Sequence, residues 1–228
     1  EASDEFKTRA RQRVVMLQSG DEDTMRLWRT LVKESTRYFN KVYTQLDVLL
    51  TDDDLMGESA YNDLLSVVVD RLRDSGLLVE SDGAEVVFPD GFTNRENEPL
   101  PLIIRKGDGG YNYATSDLGC VIDRVERVGA RTVLYVVGAP QAQHLQMVEA
   151  VASMAKWMPE GYVMNHVSFG SVLGSDRKIL KSRAGETVKL AALLDEAVVR
   201  AEAAVVEKNP DMSEADRSAV ANMIGIGA

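Results

Sequence analysis

The sequence predicts an α/β fold in which helices flank a parallel sheet. In the second half of the chain, helix-like and strand-like stretches alternate, an order typical of right-handed crossovers between parallel strands. The 228 residues are 45% hydrophobic, which is enough for a substantial core. Near the middle, short strand-like stretches separated by Asp-Gly turns predict a small antiparallel insertion.

The first fifth of the chain is predicted to be mainly helical. Residues Asp4 to Gln18 are compatible with a helix, and Ser19-Gly-Asp-Glu22 has the spacing of a capping box, so a second helix is expected to begin there. Its apolar residues recur every three or four positions to about Tyr43. A short strand is expected from Gln45 to Leu50.

The middle of the chain is predicted to be a helix followed by short strands. A helix from Tyr61 to Asp74, closed by Gly76, follows the polar break at residues 51–59. Asp-Gly turns at positions 82, 90 and 108 separate the strand-like stretches. These four stretches are Leu77 to Glu80, Glu85 to Phe88, Leu102 to Lys106 and Gly110 to Tyr113.

The second half supplies the parallel sheet. We expect strands from Thr132 to Val137 and from Val163 to Phe169. The expected helices are Ser116 to Val128, Gln141 to Trp157 and Leu190 to Lys208. We therefore divide the chain into residues 1–50, an inserted α+β segment at 51–112, and a C-terminal half at 113–228.

Composition excludes several functional classes. The net charge of −10 argues against a surface that mainly binds nucleic-acid phosphates. The single cysteine cannot form an internal disulfide, and no Cys/His spacing indicates a protein-bound metal site. No apolar run is long enough to span a bilayer, and the first residues do not resemble a signal peptide, so a cytoplasmic location is expected.

Two carboxyl residues lie near predicted helix starts. Glu58 follows Gly57, and Asp117 falls in the first turn predicted for the helix after Tyr113. Each has an ordinary interpretation, because acidic residues complement the dipole at a helix N-terminus. If both face one pocket, they suit a guanidinium, whose planar donors pair with carboxylates.

Other polar side chains are predicted at the carboxyl ends of strands, where open α/β sheets bind small molecules. Tyr113 is expected to end a strand, and Gln141 to open the helix after the central strand. His144 is either structural or a ligand contact, whereas His166 lies in an apolar strand and is interpreted as structural.

A basic loop near residues 172–185 is the only phosphate-binding candidate, because neither a glycine-rich Rossmann fingerprint nor a P-loop is present. The alternative interpretation is that this segment is an ordinary solvated loop that binds no phosphate. The four cations of this loop are Arg177, Lys178, Lys181 and Arg183.

Eight short motifs follow one another along the chain: Leu17-Gln-Ser-Gly-Asp-Glu22, Met56-Gly-Glu-Ser59, Lys106-Gly-Asp-Gly-Gly-Tyr111, Tyr113-Ala-Thr-Ser-Asp117, Tyr135-Val-Val-Gly138, His144-Leu145, His166-Val-Ser-Phe-Gly170 and Lys181-Ser-Arg-Ala-Gly185. In order and spacing, these motifs resemble the catalytic core of the class I arginyl-tRNA synthetases over essentially the whole chain. The resemblance implies a Rossmann-like nucleotide-binding fold, of which the chain is the second half with an antiparallel insertion.

Members of that family condense L-arginine with ATP to arginyl-adenylate and then transfer the arginyl group to tRNA(Arg). The resemblance implies Mg2+ as a companion of ATP, without a protein-bound metal site. It also implies that Glu58 and Asp117 hold the guanidinium, with Tyr113 beside it and Gln141 facing the α-amino group.

The remaining roles that the resemblance implies concern the nucleotide. It implies that the adenosine site is lined by His144, Phe169, Val172 and Leu173. It implies that the signature loop, which acts in catalysis, contains Lys181, Ser182 and Arg183.

One family signature is absent. His-x-Gly-His does not occur, since the only histidines are His144 and His166. The N-terminal tRNA-binding domain and the anticodon-binding domain are also not recognised, so we expect most tRNA contacts to lie on such domains and the isolated chain to be inactive. Two alternatives stay open: a non-catalytic arginine-binding or regulatory module, and a generic nucleotide-binding α/β protein.

Overall fold

The computed structural model describes residues 3–170 and 189–227. The chain divides into two compact units: one comprises residues 1–26 and 56–171, and the other comprises residues 27–55 and 172–228. Helix α2 passes from the first unit into the second, and each unit is described by itself below. The boundaries predicted after residues 50 and 112 stay a prediction.

The first unit begins with helix α1 and the start of helix α2, whose N-termini are set by local hydrogen bonds. Helix α1 (Asp4–Gln18) has the predicted bounds, and the Ser3 hydroxyl accepts from the backbone N–H of Phe6 at 3.2 Å. Helix α2 (Glu22–Gln45) is capped by Asp21, whose Oδ1 accepts from the backbone N–H of Thr24 at 2.9 Å.

The prediction that Ser19 caps α2 was wrong. Gly20 adopts a left-handed conformation (φ 82°), so the chain turns there and Asp21 becomes the cap. The Ser19 hydroxyl instead donates to the backbone carbonyl of Met16 at 3.0 Å.

Helix α3 leads into the predicted antiparallel sheet. Helix α3 (Asn62–Asp74) is followed by β1 (Val79–Ser81), β2 (Ala84–Val87) and β3 (Leu102–Arg105), which pair in the order β1-β2-β3. The fourth predicted strand, Gly110 to Tyr113, was wrong. Only an isolated bridge joins Arg105 to Tyr111, because the next helix already begins at Tyr113.

The parallel part of the fold follows in the predicted order. Helix α4 (Tyr113–Glu126), β4 (Thr132–Gly138), α5 (Ala142–Met154) and β5 (Val163–Phe169) alternate, and β4 pairs with β5 in parallel. Their register runs from Thr132 opposite Val163 to Gly138 opposite Phe169. The predicted α/β class with a parallel sheet and an antiparallel segment is thus confirmed.

Helix α4 begins three residues before the predicted start at Ser116. Asn112 is the cap, and its side-chain oxygen accepts from the backbone N–H of Tyr113 at 3.0 Å. The Thr115 hydroxyl also donates to the backbone carbonyl of Ile104 in β3. These bonds fix the N-terminal turn of α4, which carries the side chains discussed below.

The core of the first unit surrounds α4. Aliphatic side chains from α3, β2, β3, α4 and α5 form one buried cluster. Burial of each contributes roughly 1.5–3 kcal/mol to folding, so α4 and α5 are firmly held. The fully buried members with the largest side chains are Leu72, Ile104, Leu118, Val68, Val87, Val121, Val148 and Val151.

The second unit is helical. Helix α6 (Leu190–Lys208) has the predicted bounds, whereas α7 (Glu214–Gly227) was not predicted. The strand predicted from Gln45 to Leu50 was wrong. Helix α2 continues to Gln45, the N–H of Leu46 still bonds to the carbonyl of Val42, and Asp47 then turns with φ 55°.

None of the helices among residues 3–170 and 189–227 is both long and apolar enough to cross a membrane.

Helices α6 and α7 approach each other closely at Gly225. A Cβ atom added at this position would lie 2.6 Å from the Cα and 2.7 Å from the N of Val198. We expect Gly225→Ala to destabilise this helix pair by about 1–2 kcal/mol, because the overpacking cost outweighs the gain in helix propensity. Hydrogen exchange of the amides in α6 and α7, measured in the complete protein, should accelerate.

Gly227→Ala is the matched control for this prediction. It lies on the same helix, and its Cβ would meet no atom within 4 Å. We expect unchanged or slower exchange, because alanine favours the helix. Equal exchange in the two variants would contradict the close approach at Gly225.

Candidate substrate-binding cleft

A cleft of about 830 Å³ lies at the carboxyl end of β4. Open parallel sheets bind ligands at this edge, so the position is the expected one for a small-molecule site. The cleft brings together six of the residues predicted from sequence. Its lining comprises Glu58, Tyr113, Asp117, Tyr135, Val136, Val137, Gly138, Gln141, His144, Leu145 and Phe169.

Glu58 reaches the cleft from the start of a short 3₁₀ helix. Gly57 is its extended cap, and the helix Glu58–Tyr61 leads directly into α3. The Tyr61 side chain is buried and anchors this turn to the core. The Glu58 side chain is exposed, so it lies at the solvent side of the cleft.

Tyr113 and Asp117 lie four positions apart on α4 and therefore share one face of the helix. Two expectations are corrected here. Tyr113 is the first residue of α4 and does not end a strand, and Asp117 lies in the second turn of that helix. Because a helix dipole acts mainly within its first turn, the dipole interpretation no longer accounts for Asp117.

The carboxylate of Asp117 contacts His144. The distance between Nε2 of His144 and Oδ2 of Asp117 is 2.5 Å. The His144 ring also packs on Tyr113, with ring centroids 4.6 Å apart. Sequence reasoning placed both residues near the site but did not predict this contact.

The other polar lining residue, Gln141, ends a 3₁₀ turn and caps α5. The turn Ala139–Gln141 follows β4 directly, so the amide lies beside the end of the strand. Phe169 ends β5 opposite Gly138 and presents a half-exposed aromatic ring to the cleft. The two residues thus add an amide and a stacking surface.

Tyr135 closes the inner side of the cleft and was not predicted as a site residue. Burial raises the pKa of its hydroxyl, and the guanidinium carbon of Arg124 lies 5.0 Å from its ring centroid. Burial also raises the pKa of Tyr61 to about 12, with a further contribution from its hydrogen bond to Cys120. Both phenols therefore stay neutral near pH 7.

The alternation of exposed and half-buried residues along β4 was the signal that could have identified Tyr135, since Tyr135 lies on the half-buried face of the strand.

Ionisable groups give the cleft an acidic character. Two carboxyl side chains, Glu58 and Asp117, line it, and none of the described lining residues is lysine or arginine. Such a lining suits a cation, and a planar guanidinium can donate to two carboxylates at once. Within the described residues, no group of three His, Cys, Asp or Glu side chains could hold a metal ion.

The loop cations Arg177 and Lys178 lie outside the described part of the chain, as do five residues predicted for the nucleotide site and the signature loop. The predicted roles of these five residues therefore have no geometry here. The five are Val172, Leu173, Lys181, Ser182 and Arg183.

Comparison with known proteins defines the class. The family described as "tRNA synthetases class I (R), catalytic domain" matches residues 1–228, and the chain belongs to this family. Two curated relatives are named arginine–tRNA ligase. The protein from Thermobifida fusca is 54% identical over 228 residues, and that from Shigella dysenteriae is 49% identical over 225 residues. These matches cover 100% and 99% of the chain and 39% of each relative, so the chain spans well under half the length of these proteins.

Solved structures agree with the fold. The crystal structure of arginyl-tRNA synthetase from Plasmodium falciparum matches with a TM-score of 0.77 and 27% identity, covering 97% of this chain and 36% of that one. The Thermus thermophilus arginyl-tRNA synthetase matches with a TM-score of 0.57 over 72% of this chain and 32% of that one. At 20% identity, the second likeness concerns the fold alone.

Proposed function

We propose that the complete protein is an arginine–tRNA ligase, which activates L-arginine with ATP and transfers the arginyl group to tRNA(Arg). The observation that carries the proposal is the convergence of Glu58 and Asp117 on one cleft whose described lining contains no lysine or arginine. The names of the curated relatives support it. The names of those relatives denote enzymes, which favours a ligase over a non-catalytic arginine-binding module as the function of this protein.

Arginine recognition in this proposal uses four side chains. The guanidinium donates to the carboxylates of Glu58 and Asp117, and the Tyr113 ring, which lies 4.6 Å from His144, packs beside it. Gln141, at the end of the 3₁₀ turn that follows β4, accepts from the α-amino group. Together these contacts fix the α-carboxylate of arginine for reaction.

The chemical step is attack of that carboxylate oxygen on the α-phosphorus of ATP, with cleavage of the bond to pyrophosphate. A hydroxyl of the terminal adenosine of tRNA then attacks the carbonyl carbon of arginyl-adenylate, and AMP leaves. Neither step needs a protein nucleophile, so catalysis depends on positioning and on stabilisation of developing charge.

ATP is assigned to the side of the cleft formed by β5. The half-exposed Phe169 ring offers a stacking surface for adenine, and we extend the adenosine site to His144, Val172 and Leu173 on the family resemblance. Mg2+ accompanies ATP and is held mainly by its phosphates, as is usual for this ion.

The signature-loop assignment depends on sequence alone. Cations beside the departing pyrophosphate lower the barrier to adenylation by stabilising its charge. The assigned residues are Lys181, Ser182 and Arg183. We place the reaction in the cytoplasm. We also place most tRNA contacts on segments beyond these 228 residues, since the net charge of −10 makes this chain a poor phosphate-binding surface.

The test is arginine-dependent exchange of labelled pyrophosphate into ATP by the complete protein, with and without total tRNA. We expect exchange with arginine and little with lysine or citrulline. A lysine ammonium lacks the planar fork, and citrulline is neutral. Exchange that another amino acid supports better than arginine would overturn the proposed function.

A further inference from the structure

The geometry points to His144 as the residue that positions Asp117 for arginine. We infer that the neutral imidazole donates from Nε2 to Oδ2 of Asp117 and leaves Oδ1 for the guanidinium. Protonation of the imidazole then opposes arginine binding. This inference depends on the proposed function, because it takes arginine as the ligand of the cleft.

The first support is the rigidity of the pair. His144 is the third residue of α5, and its side chain is only 12% exposed. Its ring lies between the carboxylate of Asp117 and the Tyr113 ring. Nε2 is 2.5 Å from Oδ2 of Asp117, and the centroids of the two rings are 4.6 Å apart. The neighbouring residues Leu145 and Leu118 are buried in the core, so packing of both helices favours the contact.

The second support is the state of the carboxylate. Its side chain is 35% exposed, and no described residue other than His144 donates a hydrogen bond to it. A carboxylate has about four acceptor positions on two oxygens. One donor from His144 therefore fixes the carboxylate orientation and still leaves acceptors for a guanidinium.

The charges around His144 decide the direction of the pH effect. Helix α4 contributes Asp117 and Tyr113, the 3₁₀ helix contributes Glu58, and β4 contributes Tyr135. Gln141 and Phe169, also in the cleft, carry no charge. The imidazole is thus the only group of the described lining that can become a cation.

With a neutral imidazole, two carboxylates face one guanidinium. With an imidazolium, the same carboxylates face two cations, and Asp117 is already paired with one of them. Acidification favours the imidazolium over the neutral imidazole. Arginine affinity should therefore decrease as the pH falls, by up to about tenfold per pH unit for one linked proton.

The experiment is calorimetric titration of the complete protein with arginine from pH 5.5 to 8, in buffers of different ionisation enthalpy. For the wild type we expect at least tenfold weaker binding at pH 5.5 than at pH 7.5, with proton release on binding at the acid end. In His144→Gln the amide can still donate to Asp117 but cannot become charged. Its affinity should vary less than threefold over the same range, without proton release.

His166→Gln is the matched control, because His166 is the only other histidine of the chain. Its Nε2 lies 3.0 Å from the backbone carbonyl oxygen of Val137 and it does not line the cleft. This variant should keep the pH dependence of the wild type. A merely structural role of His144 would change affinity equally at every pH.

Two results would overturn the inference even if the wild type binds arginine. One is a His144→Gln variant that retains the pH dependence and proton release of the wild type, which leaves the proposed function intact. The other is a wild type that binds arginine equally well at pH 5.5 and 7.5. Failure of the wild type to bind arginine at any pH would overturn the inference and the proposed function together.

Discussion

Asp117→Asn is expected to weaken arginine binding to the complete protein by about 2–4 kcal/mol, the scale for removing one partner of a desolvated charge pair. The substitution keeps the shape of the side chain and an oxygen that can accept from Nε2 of His144. It removes the negative charge opposite the guanidinium and introduces amide hydrogens that the guanidinium cannot pair with. Calorimetric titration at pH 7.5 measures the loss directly.

Asp123→Asn on the same helix is the control. Asp123 accepts two hydrogen bonds from Arg127, at 2.6 and 2.8 Å, and does not line the cleft. Loss of this pair, between the 62% exposed Arg127 and the 12% exposed Asp123, affects stability but removes no group from the cleft. Arginine affinity should stay within twofold of the wild type. An Asp117→Asn variant that binds arginine as tightly as this control would place the guanidinium elsewhere.

The strength of the sequence patterns explains which elements were predicted well. Strand β5 (Val163–Phe169) and helix α6 (Leu190–Lys208) match their expected bounds to the residue. The β5 sequence is a short apolar stretch that follows Gly161. The α6 sequence is a long run of residues with high helix propensity that ends before Pro210. In both cases local propensity and tertiary packing favour the same structure.

The errors arise where several local signals compete. Residues Gln45 to Leu50 are apolar enough for a strand, but α2 continues to Gln45 and its backbone hydrogen bonds extend into the turn. Helix α7 was missed although Ser213 caps it, with the backbone N–H of Asp216 donating to the Ser213 hydroxyl at 3.2 Å. The Ser213-x-x-Asp216 spacing was a usable signal.

The types of residue at the candidate site could be predicted, but their pairing could not. Placing Tyr113 at the end of a strand separates it from Asp117, whereas a helix that begins at Tyr113 makes the two neighbours on one face. The Asn112 cap decides between these outcomes. The contact of His144 with Asp117 further depends on the packing of α4 against α5, which no local pattern encodes.

Glu58→Gln is expected to reduce discrimination between arginine and citrulline. Glu58 is exposed in the structure, so its pairing with a guanidinium stays partly solvated, and we expect arginine affinity to fall by about 1–2 kcal/mol. This is less than for Asp117, which is partly buried. Citrulline gains at the same time, because its carbonyl oxygen can accept from the amide that the substitution introduces. Competition titrations with both ligands measure the ratio of their dissociation constants, which should shrink at least tenfold.

The change in the ratio separates a direct contact from a general loss of charge. Glu80→Gln removes the same charge from exposed strand β1, outside the cleft, and should leave both dissociation constants unchanged. If Glu58 acted only through its long-range field, Glu58→Gln would weaken arginine slightly and leave citrulline unaffected, since citrulline is neutral. Tighter citrulline binding therefore requires a hydrogen bond from position 58 to the ligand. An unchanged affinity for both ligands would restrict Glu58 to starting the 3₁₀ helix and would leave Asp117 as the only carboxylate for the guanidinium in the described cleft.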